Sequence, residues 1–119
     1  MKKILFVDDE EHLRGNVQRY LELNEFEVIL ANDGAEGLEM IKKEKPDLVI
    51  TDVMMPRMDG FTMLREIKSS EAMRDIPVIM LTAKESIRDL YEMQGASDFI
   101  PKPFDMGSLL DAVNKALLN

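Results

Sequence analysis

Short, unbroken apolar runs recur along the chain at Ile4–Val7, Val28–Ala31, Leu48–Ile50 and Val78–Leu81, with a briefer one at Phe99-Ile100. A run of this length without polar alternation predicts a strand covered on both faces. Between the runs, the apolar positions change to helical spacing: Leu13, Val17, Tyr20 and Leu21; Ala35, Leu38 and Ile41; then Phe61, Leu64 and Ile67. Two more sets follow, Ile87, Leu90 and Tyr91, and finally Met106, Leu110, Val113 and Leu117. Each set lines one face of a helix, so the chain reads as five successive strand–helix units.

The punctuation agrees. Asp33-Gly34 and Asp59-Gly60 open the second and third helices, and Ser86 and Asp105 cap the fourth and fifth. Pro46 and Pro77 stand just ahead of strands, where no ladder hydrogen bond has yet begun. Strict alternation implies right-handed crossovers and a parallel sheet with helices on both faces, a doubly wound (βα)5 α/β domain over residues 1–119. The least apolar strands belong at the edges. The second, beside Glu25 and Glu27, and the fifth, between Asp98 and Pro101, fit best and give the order 2-1-3-4-5.

Composition narrows the chemistry. At 119 residues and 45% hydrophobic content, one domain with a real core is expected. No apolar run approaches the roughly 20 residues that cross a bilayer, and Met1-Lys2-Lys3-Ile4 leads straight into a strand. The expectation is a soluble, cytoplasmic chain without membrane contact. There is no cysteine and a single histidine, His12, read as a surface residue, so a bound metal would be held by oxygen. That favours a hard cation such as Mg²⁺. A net charge of −8, with Lys and Arg dispersed, argues against direct nucleic-acid contact. The ten methionines mostly sit beside apolar residues and read as core filler.

In a sheet of this order, ligand groups gather beyond the carboxyl ends of the strands, where the order reverses between the first and third. Strand one ends in Asp8-Asp9, strand three in Asp52, strand four in Thr82 and strand five in Lys102. Asp9 alone would read as a helix cap. Three converging carboxylates would instead raise one another's pKa values or demand a compensating cation, and a divalent ion held by carboxylates, a carbonyl and waters would answer the repulsion directly. Asp52 ends the central strand ahead of Met54-Met55-Pro56 and is the best-placed nucleophile; attack on phosphorus would give an acyl phosphate. Mg²⁺, Lys102 and the Thr82 hydroxyl can balance the charge on the transferring oxygens, and Pro101 and Pro103 stiffen the backbone carrying Lys102.

These residues and spacings resemble the receiver domain of bacterial two-component response regulators, of the chemotaxis-regulator (CheY-like, flavodoxin-like) type. The resemblance covers the whole chain and rests on Ile4-Leu5-Phe6-Val7-Asp8-Asp9-Glu10, Asp52-Val53-Met54-Met55-Pro56-Arg57-Met58-Asp59-Gly60, Leu81-Thr82-Ala83-Lys84 and Phe99-Ile100-Pro101-Lys102-Pro103-Phe104. It implies a phosphoacceptor signalling domain, catalysing only its own phosphorylation and dephosphorylation, that is charged on Asp52 by a histidine kinase, a histidine phosphotransfer protein or a small phosphodonor. It further implies Mg²⁺ (or Mn²⁺) held by Asp9, Asp52 and the Met54 carbonyl, with Asp8 assisting through water. The hydroxyl matching Thr82 would turn toward the phosphate and the aromatic matching Phe99 would rotate inward, although residue type alone reads Phe99 as core. A cis Lys102–Pro103 peptide and control of an output domain or partner are implied as well.

Some positions depart from the family pattern. Glu25 stands where glycine is usual, with Asn24 expected to supply the left-handed turn. The stretch from Thr82 to Lys102 is shorter than usual by about two residues. That predicts a trimmed fourth helix or leading loop and counts against a dimer through the face of helix four, strand five and helix five; a monomer or a phosphorylation-dependent dimer is expected. Phe99 lacks the hydroxyl of the usual tyrosine. Met54 and Lys84 occupy positions that tune hydrolysis, and the bulky, apolar Met54 predicts self-dephosphorylation on the order of minutes or longer. Competing readings are a haloacid-dehalogenase-like phosphatase, in which Asp8 would be the nucleophile, and a flavin-binding or degenerate receiver module. Glu10 stands where that phosphatase needs its second Asp, the acids after strand one would repel a flavin phosphate, and no site acid or lysine is missing.

Overall fold

Along β1 (Lys3–Val7), Ile4 and Phe6 enter one apolar cluster while Leu5 and Val7 enter another, so the strand feeds both faces of a sheet. The computed structural model describes residues 1–82 and 95–118. After β1 come α1 (Glu11–Leu23), β2 (Glu27–Ala31), α2 (Gly34–Glu44), β3 (Leu48–Asp52), α3 (Gly60–Ser69), β4 (Val78–Thr82), β5 (Asp98–Pro101) and α4 (Met106–Ala116). The expected Ser86 cap and the helix drawn from Ile87, Leu90 and Tyr91 lie outside the described residues, as does Lys84.

All four strand pairings are parallel, in the order β2-β1-β3-β4-β5. One face packs Ile4, Phe6, Ile50 and Leu81 against Val17 and Leu21 of α1 and Leu109 and Val113 of α4. The other packs Leu5, Val49 and Met80 against Ile41 of α2 and Met63, Leu64 and Ile67 of α3. Each fully buried Leu, Ile or Phe contributes about 1.5–3 kcal/mol, so the central strands form a rigid base. Every residue of β3 and β4 is buried, whereas β2 and β5 are only partly covered because each has a neighbour on one side only.

The expected caps are in place. The carboxylates of Asp33, Asp59 and Asp105 accept from the backbone N–H groups of Glu36, Thr62 and Ser108 at 2.9, 2.8 and 2.7 Å. One expectation is corrected. The left-handed residue between α1 and β2 is Glu25, at φ 70°, whereas Asn24 has φ −101°. Asn24 instead donates its side-chain N–H to the Tyr20 carbonyl at 2.8 Å, closing the end of α1 and leaving the turn to its neighbour.

Candidate functional site

The strand register builds the site. Val7 lies opposite Thr51, which brings Asp8 level with Asp52 at the ends of β1 and β3. Asp52 lies opposite Leu81, so Thr82 stands one step beyond it; Thr82 lies opposite Pro101, so Lys102 follows at the same edge. The residues singled out in the sequence thus converge because four strands end in step.

Asp8, Asp52 and Thr82 are buried, and Asp9 is exposed. One carboxylate oxygen from each of Asp8, Asp9 and Asp52 lies within 4.8 Å of the others. Lys102 Nζ donates to Asp8 Oδ2 at 2.9 Å and stands 3.3 Å from Asp52 Oδ2. Asp52 Oδ1 accepts from the Val53 N–H at 2.9 Å, and the Lys102 N–H donates to the Thr82 carbonyl at 2.7 Å. The Lys102–Pro103 peptide is cis.

Burial raises the Asp52 carboxyl above its usual range, and the neighbouring Asp8 charge adds to this, with Lys102 only partly offsetting both. Burial pulls Lys102 down, but its hydrogen bond to Asp8 and the charges of Asp52 and Asp8 outweigh that and hold it firmly protonated. Among the described residues, three carboxylates against one ammonium leave two negative charges. That deficit, on oxygen ligands alone, fits a divalent hard cation.

Asp9 does not cap α1; the N-cap position is Glu10, with no side-chain cap bond. Phe99 is exposed on edge strand β5, correcting its reading as core. Asp8 is fully buried and held by Lys102, which counts against the reading with Asp8 as nucleophile.

The connection from β3 to α3 completes the rim. Gly60 N–H donates to the Val53 carbonyl at 2.8 Å, and a Cβ at Gly60 would fall 2.2 Å from the Asp52 carbonyl, so only glycine lets the loop close this tightly. Met54 is exposed at the rim. Met58 N–H donates to the Pro56 carbonyl at 2.8 Å around Arg57, at φ 66°, a three-residue γ-turn of the strained hand that costs about 1 kcal/mol.

Two arginines near the site were not singled out in the sequence. Arg14 Nη1 donates to the Asp8 carbonyl at 2.8 Å, a contact foreshadowed only by an arginine in the first turn after an acidic strand end. Arg57 Nε donates to Asp33 Oδ2 at 2.8 Å and its Nη2 lies 2.7 Å from the same oxygen, across 24 positions of sequence, with no local signal.

Comparison with known proteins now decides the family. The model of the response regulator receiver domain matches residues 4–114. This chain belongs to that family. As a receiver domain it has the α/β, flavodoxin-like architecture and belongs to two-component signalling, in which receivers work with histidine kinases and are phosphorylated on aspartate. It is similar to the response regulator MprA of Mycobacterium leprae, 42% identical over 118 residues, covering 98% of this chain and 50% of that protein. The receiver domain thus spans about half the length of the curated relatives it matches. Among solved structures it is similar to chemotaxis protein CheY4 of Vibrio cholerae, with TM-score 0.93, 34% identity, and 98% and 99% of the two chains covered. It is also similar to the receiver domain of sensor histidine kinase PA1611 from Pseudomonas aeruginosa, solved with a magnesium ion coordinated in the active-site cleft. There the TM-score is 0.90, with 26% identity and 99% and 98% coverage. Among the described residues, no helix is long and apolar enough to cross a membrane.

Proposed function

We propose that residues 1–119 act as a single phosphoacceptor unit in which Asp52 receives a phosphoryl group from a sensor histidine kinase, a histidine phosphotransfer protein or a small phosphodonor. The observation that carries this reading is the buried Asp8–Asp52 pair bridged by half-buried Lys102, with Asp9 within reach at the ends of adjoining strands. An Asp52 carboxylate oxygen bonds to phosphorus as the bond to the donor's nitrogen or oxygen breaks, and the leaving group departs with that electron pair. Lys102 faces the phosphoryl oxygens and the Thr82 hydroxyl becomes a further donor to them. Asp9, Asp52 and the Met54 carbonyl would hold Mg²⁺ (or Mn²⁺), with Asp8 acting through water; the magnesium ion in the active-site cleft of the PA1611 receiver supports a metal in this cleft. Bound there, the cation neutralises charge that builds on the transferring oxygens.

The exposed Phe99 is read as the resting position of a switch that turns inward once Thr82 engages the phosphoryl group. The receiver then passes its state to an output domain or partner, as a cytoplasmic monomer or a phosphorylation-dependent dimer, without touching nucleic acid itself. It is a signalling domain whose chemistry is confined to its own charging and discharging. Exposed, apolar Met54 shields the acyl phosphate and makes that discharge slow.

The test is intact-mass spectrometry after incubation with acetyl phosphate. Wild type gains one phosphoryl group in Mg²⁺ and none after chelation, and Asp52→Asn gains none in either condition. Equal uptake by Asp52→Asn would remove the proposal.

A further inference from the structure

The loop that carries Met54 leaves β3 under a constraint supplied from elsewhere in the fold. Its ends are fixed by Gly60 bonding to Val53, but its middle runs through the strained turn at Arg57, with Met54, Pro56 and Arg57 exposed. The head of α2 reaches it from outside. Gly34 N–H donates to the Met58 carbonyl at 3.1 Å, and a Cβ at Gly34 would lie 2.8 Å from that same oxygen, so the two backbones are pressed together. Beside this contact, Asp33 divides its carboxylate. Oδ1 caps α2 through the Glu36 N–H, while Oδ2 accepts from Arg57 Nε and pairs with the charge on Nη2. Asp33 is buried, so the ion pair is shielded from solvent on its acidic side and geometrically fixed by the helix it caps.

We propose that the Arg57–Asp33 ion pair is a positioning clamp that locks the metal-binding loop to the head of α2 and thereby sets the affinity of the site for Mg²⁺. This rests on the assignment of the Met54 carbonyl as a ligand. Arg57 touches neither metal nor phosphoryl group. It acts by holding a left-handed backbone conformation three residues downstream of that carbonyl, which a relaxed loop would leave.

The experiment measures Mg²⁺ affinity by titration calorimetry, and the Mg²⁺ dependence of phosphoryl uptake, on the full chain. Arg57→Gly tolerates the positive φ, so it adds no strain of its own, but deletes the clamp and leaves that conformation unheld; Asp33→Asn keeps the cap acceptor and deletes the charge. Asp47→Ala, which removes a bond to the Lys3 N–H at the opposite edge, is the control for general loss of stability. Both clamp variants are expected to bind Mg²⁺ about threefold to tenfold more weakly, less than the loss usual for a direct second partner of a ligand. The double variant should be no weaker than the worse single, because the two residues act as a unit. At saturating Mg²⁺ the uptake rate of Arg57→Gly should return to within about twofold of wild type, which a globally loosened fold would not do.

Unchanged affinity in Arg57→Gly, or an equal loss in Asp47→Ala, would overturn the clamp while wild-type uptake leaves the phosphoacceptor reading standing. A wild type that binds no Mg²⁺ would overturn both.

Discussion

Each edge of the sheet gathers acidic side chains around one lysine. At the amino edge, Lys3 Nζ lies 3.7 Å from Glu27 and 3.4 Å from Glu44, while its backbone N–H donates to Asp47 at 2.8 Å. At the carboxyl edge, Lys102 Nζ lies 2.9 Å from Asp8 and 3.3 Å from Asp52. The lysines are equally exposed, 26% and 25% of the side chain, so the difference lies in the acids. Glu27 and Glu44 keep 51% and 31% of their side-chain surface; Asp8 and Asp52 keep 1% and 12%. Exposed acids are hydrated and screened, and their pairing with Lys3 does little more than tie strand ends together. Buried acids with, among the described residues, one ammonium between them stay short of positive charge, and that shortage is what a metal and a phosphoryl group can use.

The comparison breaks most visibly in phosphoryl uptake. Lys102→Met should slow uptake from acetyl phosphate by about 100-fold, the scale of losing one transition-state donor in a water-poor site. Lys3→Met should leave it within about twofold, since screened charge at the far edge cannot reach the reaction. A comparable loss in both variants would mean that overall charge, not burial, governs the site.

Next in size is the response to metal. At ten times its dissociation constant, Mg²⁺ should stabilise wild type by about 1.4 kcal/mol, read as the rise in unfolding free energy on replacing chelator with metal. Asp9→Ala should lose most of that rise and Glu44→Ala none of it. A rise surviving in Asp9→Ala would move the metal away from the carboxyl edge.

Much of this contrast was readable before any coordinates. Unbroken apolar runs identified β1, β3 and β4, and the charges flanking the second and fifth runs placed those strands at the edges, as observed. The convergence of Asp8, Asp52, Thr82 and Lys102 follows once the order is known, because parallel strands of similar length end together. Burial at the strand tips is less legible: Thr51 and Asp52 extend the third apolar run, and Thr82 the fourth, by polar residues that are still inside the sheet. Phe99 carries the hydrophobicity of a core residue, and only the openness of an edge strand leaves it exposed. Glu25 and Arg57 adopt left-handed backbone without the glycine or asparagine that advertises it, and the contact of Arg57 with Asp33 is a product of tertiary packing.

The smallest effect separates the two edges by their response to pH and salt. Burial raises the Asp33 carboxyl, but the Glu36 N–H and the Arg57 guanidinium outweigh it and hold the group below its ordinary value. A carboxyl lowered in the fold contributes stability that is fully present above the unfolded-state value of about 4 and disappears as pH falls through the lower folded value. Asp33→Asn keeps a cap acceptor and should cost about 0.5–1 kcal/mol at neutral pH. Its deficit relative to wild type should close on acidification below about pH 4 and change little with added salt, because the acid is buried. Lys3→Met should cost at most about 0.5 kcal/mol and converge on wild type in high salt. Denaturant unfolding of both variants across pH and ionic strength checks the pair. A deficit in Asp33→Asn that persists unchanged to acid would place its origin in packing and make Asp33 no different from the screened acids around Lys3.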